Sequence, residues 1–313
     1  MQFGVLTGNF GTFGENPGAD GSLIVAEEAE RLGFDSVWVH DHVIMPSGVT
    51  SRYPYNGTGD SPFRVDQFIY DPITMMAAIA ARTSRVLIGT SVLVVPYRNP
   101  IVLAKELATI DRISHGRVIL GIGVGWMAEE FEALGIGELY PKRGSVTDEW
   151  MAVCINLWTQ TGPSSFSGRW VEYKDVGANP LPVQKPHIPI WVGGKTPAAM
   201  RRVARYGNGY HTITSTPAEV ATEIGLVRAE MEKAGRNPDD LAISMLWSGL
   251  GTPGTDELVT TLGNYERAGM HHLVGIPWLR GADSLARLTT GDRLKALTEN
   301  LEFFASDIRP ALG

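Results

Sequence analysis

Short apolar runs alternate along this chain with longer stretches that have a helical period. Runs rich in Val, Ile and aromatic residues predict buried strands, and apolar residues recurring three or four apart predict amphipathic helices. The helical spacing is clear at Leu23, Ala26, Ala29 and Leu32. Eight strands are predicted, at residues 3–6, 36–40, 86–95, 117–122, 188–192, 209–213, 241–246 and 272–276.

A helix is predicted after each of these strands. The helices are expected at residues 23–32, 72–82, 100–114, 144–159, 197–205, 217–234, 256–268 and 284–304. Such alternation implies parallel strands, and eight units favour a closed (β/α)8 barrel over an open sheet. We expect one α/β domain, residues 1–313, with two inserts: an aromatic and Gly-rich loop at 43–70 and a hairpin at 161–187.

Composition and charge narrow the classes of function. The chain is 43% hydrophobic and 19% charged, which excludes a disordered protein. Its net charge of -7, without a long basic run, argues against a nucleic-acid or membrane-surface partner. A single cysteine, Cys154, excludes a disulfide framework and a cysteine zinc site. With no basic leader and no apolar stretch near the ~20 residues of a membrane span, we expect a cytoplasmic protein.

The second predicted strand closes on His40-Asp41-His42. In a barrel the active site lies at the carboxyl ends of the strands, so this segment is a candidate. Strand alternation puts His40 and His42 on one face and Asp41 on the other. A His-x-His pair also suits a metal hydrolase, with His211 as the one further histidine placed to join it. We favour a catalytic role for His42 at a bound ring and predict no metal.

A glycine run ends the fourth predicted strand, in Gly121-Ile122-Gly123-Val124-Gly125-Trp126. The spacing differs from the dinucleotide-binding fingerprint G-x-G-x-x-G. Because glycine has no Cβ atom, Gly123 and Gly125 would let a planar ligand approach the backbone closely. The alternative interpretation is a tight turn at the top of the barrel.

A second glycine pair, Gly193 and Gly194, leaves the fifth predicted strand just before a helix. Thr196 suits the N-cap of that helix, whose free N–H groups would favour an anion such as a phosphate. Lys195 adds a local positive charge. We predict a phosphate-binding loop here, with a plain glycine turn as the alternative. In the third strand, the small polar residues around Ser91 suggest a bulge or a close ligand.

Together these segments resemble the bacterial luciferase-like superfamily of flavin and deazaflavin enzymes, over essentially the whole chain. The resemblance depends on several fragments occurring in order. They are Leu32-Gly33-Phe34-Asp35-Ser36-Val37-Trp38 leading to Asp41-His42, Ala104–Asp111 before Ser114-His115-Gly116-Arg117, the glycine run followed by Glu129-Glu130-Phe131, and Pro189-Ile190-Trp191-Val192-Gly193-Gly194.

The resemblance implies a (β/α)8 barrel with a tricyclic cofactor lying across the strand ends. It further implies a non-proline cis peptide at Ser91–Val92 behind the ring, the cofactor phosphate in the Gly193–Thr196 loop, and His42 near the redox centre. Cofactor contacts are therefore predicted at Asp41, Thr90, Ser91, Val92, Gly123, Gly125, Gly193, Gly194, Lys195 and Thr196.

The chain is most similar to the branch that uses coenzyme F420, a deazaflavin. Sugar-phosphate dehydrogenases of that branch place a carboxylate where this chain has Trp126, which puts their acid–base pair and their substrate in doubt here. We predict hydride transfer between F420 and a small organic substrate, with FMN-dependent monooxygenation as the alternative. A metal hydrolase is less favoured, and so is a flavin- or deazaflavin-binding protein without turnover. The sequence leaves open whether the protein forms a homodimer.

The substrate is not indicated by any motif. Aromatic residues that could line an apolar pocket occur in the 43–70 insert and after the eighth strand. They are Tyr53, Tyr55, Phe63, Phe68, Tyr70 and Trp278. The alternative is that the insert packs on itself.

Overall fold

The computed structural model describes residues 1–10, 18–213, 215–247, 254–275 and 289–312. Its strands are β1 Gln2–Leu6, β2 Ser36–Val39, β3 Leu87–Thr90, β4 Leu93–Val94, β5 Val118–Gly123, β6 Ser164–Ser167, β7 Glu172–Val176, β8 Ile190–Gly193, β9 Gly209–Ile213, β10 Ala242–Leu246 and β11 His272–Val274. Its helices are α1 Gly18–Arg31, α2 Pro72–Arg82, α3 Pro100–Ile113, α4 Ala128–Ala133, α5 Arg143–Thr159, α6 Pro197–Tyr206, α7 Pro217–Lys233, α8 Thr255–Arg267 and α9 Thr290–Phe303.

The main sheet is parallel and closed. Its strands pair in the order β3-β2-β1-β11-β10-β9-β8-β5-β4, and β3 also pairs with β5. Since β3 and β4 are consecutive segments at one position, the described residues form eight positions around a barrel. The predicted (β/α)8 fold is confirmed. The 161–187 insert contains the predicted hairpin, in which β6 and β7 pair antiparallel.

The third barrel strand, predicted over residues 86–95 with a bulge or a close ligand around Ser91, is observed as two segments. It divides into β3 and β4 at Ser91 and Val92, whose peptide bond is cis, as the resemblance implied. The Ser91 carbonyl oxygen lies 2.7 Å from Nδ1 of His40 and so bonds a side chain instead of the next strand. This exchange of partners explains the interruption of the strand.

Large aromatic side chains fill the inside of the barrel. Trp38 and Trp191 pack there at a ring distance of 5.3 Å. Glycines on neighbouring strands make room for them, since a Cβ atom on Gly209 would lie 2.5 Å from the Trp191 ring. Val37 and Val39 face the outer helices, so the alternation predicted for β2 is confirmed.

Most of the remaining boundaries agree with the sequence prediction, but α1 begins at Gly18 and not at the predicted residue 23. Helix α4, after the glycine run, was not predicted. The predicted helix 284–304 is observed as α9, and the eighth strand ends at Val274. Residues 276 and 284–288, and Trp278, lie outside the described residues. None of the described helices is long and apolar enough to cross a membrane.

Candidate active site

His42 lies just beyond β2 and contacts a buried glutamate. Its Nδ1 atom is 2.6 Å from Oε2 of Glu130, which lies on α4 after β5. Glu130 is fully buried and the His42 side chain is 8% exposed. The second ring nitrogen of His42, Nε2, has no hydrogen-bond partner among the described residues. One nitrogen is thus fixed by a carboxylate and the other is available to a bound molecule.

The Glu130 carboxylate accepts several hydrogen bonds. Oε1 accepts from the backbone N–H of Val43 at 2.7 Å, and Oε2 accepts from the Tyr97 hydroxyl at 2.8 Å. Burial alone would raise the pKa of Glu130, but the hydrogen bonds from His42, Val43 and Tyr97 lower it below its ordinary value. Glu130 is therefore a carboxylate.

The neighbouring glutamate fixes the 43–70 insert. Oε1 of Glu129 accepts from the backbone N–H groups of Thr50 and Ser51 at 2.7 and 3.0 Å. Burial opposes ionisation of this group, but the hydrogen bonds lower its pKa to about 2. The two consecutive glutamates of α4 thus hold the insert against the carboxyl end of the barrel.

Asp41 is turned away from His42, as alternation predicts. Its two oxygen atoms bind the Arg98 guanidinium at 2.7 and 2.9 Å, and Oδ2 also accepts from the Val94 N–H at 2.8 Å. The side chain that contacts His42 is therefore Glu130 and not the adjacent Asp41. With both oxygens engaged, the predicted cofactor contact of Asp41 would come from its backbone.

The other strand-end histidines do not converge with His42. Nε2 of His211 lies 2.8 Å from the Ser91 hydroxyl, and its Nδ1 lies 2.9 Å from the Ser244 hydroxyl. Burial lowers the pKa of His211 to about 3 and also lowers the pKa of His40. Within the described parts of the chain, no three His, Cys, Asp or Glu side chains are arranged to hold a metal ion.

Val92, the second residue of the cis peptide, occupies space that two glycines leave open. A Cβ atom on Gly123 would lie 2.6 Å from Val92, and one on Gly193 would lie 3.0 Å from it. These two glycines therefore seat Val92, which is half-buried at the barrel end. The Thr90 hydroxyl donates to the Gly121 carbonyl at 2.7 Å and is buried. Contacts of these residues with a cofactor stay predictions.

The backbone conformation at position 125 explains why a glycine is found there. Its φ of 82° lies in the left-handed region that favours glycine. A Cβ atom there would also lie 2.8 Å from both Phe131 and Val94. The turn after β5 requires this glycine whether or not a ligand approaches it.

The predicted phosphate loop lies at the carboxyl end of β8 and leads into α6. Gly194 has φ 107°, and the Thr196 hydroxyl accepts from the N–H of Ala199 at 3.2 Å as the N-cap. The Lys195 ammonium donates to the Ser215 hydroxyl at 2.6 Å and is 3.5 Å from Glu223. The loop has the predicted form, and a phosphate contact by Lys195 would require a change of partner.

Three aromatic rings contact His42 and a fourth packs behind them; we call these four residues the aromatic wall: Phe10, Tyr53, Phe63 and Trp126. Phe10 stacks on the imidazole at 5.6 Å, and the rings of Phe63 and Trp126 lie 5.0 and 6.4 Å from it. Tyr53 contacts both Phe63 and Trp126, at 5.7 and 5.2 Å. The His42 ring is thus enclosed on several sides by apolar surface.

The 43–70 insert supplies half of the aromatic wall. Tyr53 and Phe63 belong to it, and a pocket lined by them stays a prediction. Tyr55 packs on Tyr53, and Phe68 contacts Tyr70, as in the alternative of an insert packed on itself. Tyr70 also packs against the main hydrophobic core.

Comparison with known proteins identifies the family. The family model described as luciferase-like monooxygenase matches residues 1–248. The chain belongs to this family. It is thus an oxidoreductase of the luciferase-like type, as the sequence fragments indicated.

Two kinds of relative are similar to this chain. A curated F420-dependent glucose-6-phosphate dehydrogenase from Microbacterium testaceum is 33% identical over 217 residues, which are 68% of this chain and 59% of the relative. A solved F420-dependent secondary alcohol dehydrogenase, in complex with an F420-acetone adduct, aligns with TM-score 0.76 at 19% identity, over 100% of this chain and 99% of that one. A monooxygenase from Streptomyces bottropensis aligns with TM-score 0.72 at 24% identity, over 100% of both chains.

Sequence reasoning missed three residues of this site. Glu130 was noted as part of a family fragment but given no role, and Tyr97 and Phe10 were not singled out. Each is far from His42 in sequence and is brought near it by the pairing of barrel strands, as Phe10 is by the pairing of β1 with β2. The one local signal was a Glu-Glu pair directly after a glycine-rich strand end.

Proposed function

We propose that this protein is an F420-dependent oxidoreductase that transfers a hydride between the deazaflavin and a small organic substrate. The observation that carries the proposal is the position of His42. Its Nδ1 is bound to a buried carboxylate, and its Nε2 is available within an apolar wall. It lies at the same end of the barrel as the Gly193–Thr196 loop.

The residues of this end fit such a cofactor. The start of α6, with its Thr196 cap, suits an anionic group, because helix N-termini present N–H donors and positive potential. Gly194 leaves that approach open, since a Cβ atom there would meet only Ala199, at 3.4 Å. Gly193–Thr196 would hold the phosphate, and Val92 would lie under the ring.

A bound deazaflavin would supply the hydride, with carbon in place of the flavin nitrogen at ring position 5. His42 would hold or deliver the accompanying proton at Nε2. Histidine suits this task near neutrality. Glu130 fixes the imidazole through Nδ1 and offsets its positive charge, and the aromatic wall excludes water from the reacting atoms.

The choice of F420 over FMN is supported by the relatives. Both the curated dehydrogenase and the alcohol dehydrogenase described above are named as F420-dependent. The monooxygenase neighbour supports the alternative, in which reduced FMN and oxygen insert an oxygen atom. The cofactor therefore decides between the two reactions.

Anaerobic turnover tests the proposal. Purified protein is mixed with reduced F420 and a panel of small carbonyl and alkene acceptors, and oxidation of the cofactor is followed by absorbance with and without oxygen. We expect oxidation to need both protein and acceptor and to be independent of oxygen. Turnover only with reduced FMN and oxygen would establish the alternative, and cofactor binding without turnover would indicate a binding protein.

A further inference from the structure

The wall around His42 is built from carbon surface. All four of its members are aromatic; Phe10, Phe63 and Trp126 contact the imidazole, and Tyr53 packs against Phe63 and Trp126. Phe63 and Trp126 are tilted at 39° with their centroids 6.0 Å apart. Rings in this arrangement favour a flat apolar partner, because offset and edge-to-face contacts between aromatic systems are attractive.

The two residues that follow His42, Val43 and Ile44, form what we call the rim, and they are apolar as well. Val43 and Ile44, whose backbone N–H groups donate to Glu130, expose 41% and 40% of their surface. Apolar side chains that are exposed beside a site add favourable burial for an apolar ligand. The apolar character thus extends from the imidazole to the entrance of the site.

Two arginines at this end already have partners. Arg98 binds the carboxylates of Asp41 and Asp71, and Arg143 lies over Tyr140 and donates to the Gly125 carbonyl. Among the described residues, neither guanidinium is therefore available to a sugar phosphate or carboxylate beside His42 without giving up these contacts, and such an anion would lose its hydration there.

The buried carboxylate of Glu130 strengthens this argument. When His42 carries a proton, the pair has no net charge, and when it does not, the pair is negative. Neither state attracts an anion. The pair leaves one polar contact, at Nε2 of His42, which suits a single carbonyl or hydroxyl group of a neutral molecule.

We infer that the substrate is an uncharged, planar, aromatic or conjugated molecule with one carbonyl or hydroxyl group, and that Trp126 and Phe63 select it by ring contact. This inference rests on the proposed function in one respect: the bound molecule is called a substrate because the protein is proposed to be an enzyme. The wall, its rim and the pairing of its charges do not depend on which cofactor binds.

Binding calorimetry tests the inference without turnover. The probes are 4-phenylbut-3-en-2-one, its analogue with a carboxylate at the para position of the ring, and glucose 6-phosphate. Each is titrated into free protein and into protein saturated with oxidised F420. We expect the neutral probe to bind about tenfold or more tightly than its carboxylate analogue. No heat is expected from glucose 6-phosphate.

Matched variants assign the selectivity to the wall. Trp126→Leu and Phe63→Leu should each weaken binding of the neutral probe about fivefold, while F420 affinity is kept. Phe68→Leu is the control, since Phe68 lies in the same insert, is exposed and contacts Tyr70. Thermal unfolding of each variant checks that it is folded.

Three results would overturn the inference: equal or tighter binding of the carboxylate analogue or of glucose 6-phosphate, no binding of the neutral probe, or an equal loss in the Phe68→Leu variant. These results are separable from failure of the proposed function. A protein that binds the neutral probe but not F420 would refute the proposed cofactor and leave the selectivity of the wall intact.

Discussion

Nδ1 of His42 lies 2.6 Å from Oε2 of Glu130, although 88 positions separate the two residues in the chain. The contact connects the loop after β2 to the helix after β5 across the end of the barrel. It fixes the orientation of the imidazole, so that Nε2 is the nitrogen that can meet a bound molecule.

Replacing His42 tests its catalytic role. Since removal of a positioned general acid or base typically costs ~10²–10⁴ in rate, His42→Phe should lower kcat by that amount. F420 affinity should stay within about tenfold, because the phosphate loop is unchanged. Steady-state kinetics and a cofactor titration measure the two effects. Near-parental turnover would refute the role, and loss of F420 binding in a folded variant would make His42 a binding residue.

Replacing Glu130 tests whether it acts through His42. Glu130→Gln keeps the shape of the side chain but removes its charge, and we expect kcat to fall about tenfold to a hundredfold. The double variant His42→Phe, Glu130→Gln should be no slower than His42→Phe alone, because residues that act as a unit are not additive. Additive losses in the double-mutant cycle would show that Glu130 has a separate function.

Much of the fold could be predicted from periodicity alone. Strand β9 and the start of α7 agree with the prediction to the residue. The Thr-Pro N-cap that begins α7 is a local signal of this kind. The small polar residues around Ser91 indicate an irregularity in the third strand, as a bulge or a close ligand. Only the resemblance indicates the cis peptide found there.

The site was less predictable than the fold. His42 and the Gly193–Thr196 loop lie where the strand ends put them, since the carboxyl ends of parallel strands share one edge. Alternation predicts that the adjacent Asp41 faces away from His42, and its side chain does bind Arg98, but nothing in the sequence indicated Glu130 as the partner. No periodicity or motif in the sequence reveals a contact between the loop after β2 and helix α4.

The buried histidines predict how stability depends on pH. Burial lowers the pKa of His211 from 6.5 to about 3, so the unfolded chain takes up a proton first as pH falls. The contribution of neutral His211 to the free energy of unfolding is complete above pH 6.5. Between pH 6.5 and about pH 3 this contribution falls by about 1.4 kcal/mol per pH unit. His211→Asn should remove that slope from urea-unfolding free energies measured between these limits.

The control for this measurement is His115→Asn. His115 is exposed at the end of α3 with φ 58°, a conformation that Asn tolerates. Its replacement should leave the slope unchanged. An unaltered slope in His211→Asn, or the same change in both variants, would contradict the assignment.

The phosphate loop is tested at Gly194. Valine at φ 107° is strained and brings a branched side chain to the start of α6, so Gly194→Val should weaken F420 binding about tenfold or more. Gly162→Val is the matched control, because a Cβ atom there meets nothing within 4 Å. Fluorescence titration measures both. Parental affinity in Gly194→Val would mean that the loop is only a turn.

The cofactor itself is the central claim, and parallel equilibrium titrations of the purified protein with F420 and with FMN test it most directly. Binding is followed by the change in cofactor fluorescence, with Gly194→Val as the control for specific binding. We predict that F420 binds one equivalent per chain, with a Kd about tenfold or more below that of FMN. Tighter binding of FMN, or no binding of F420, would contradict the account.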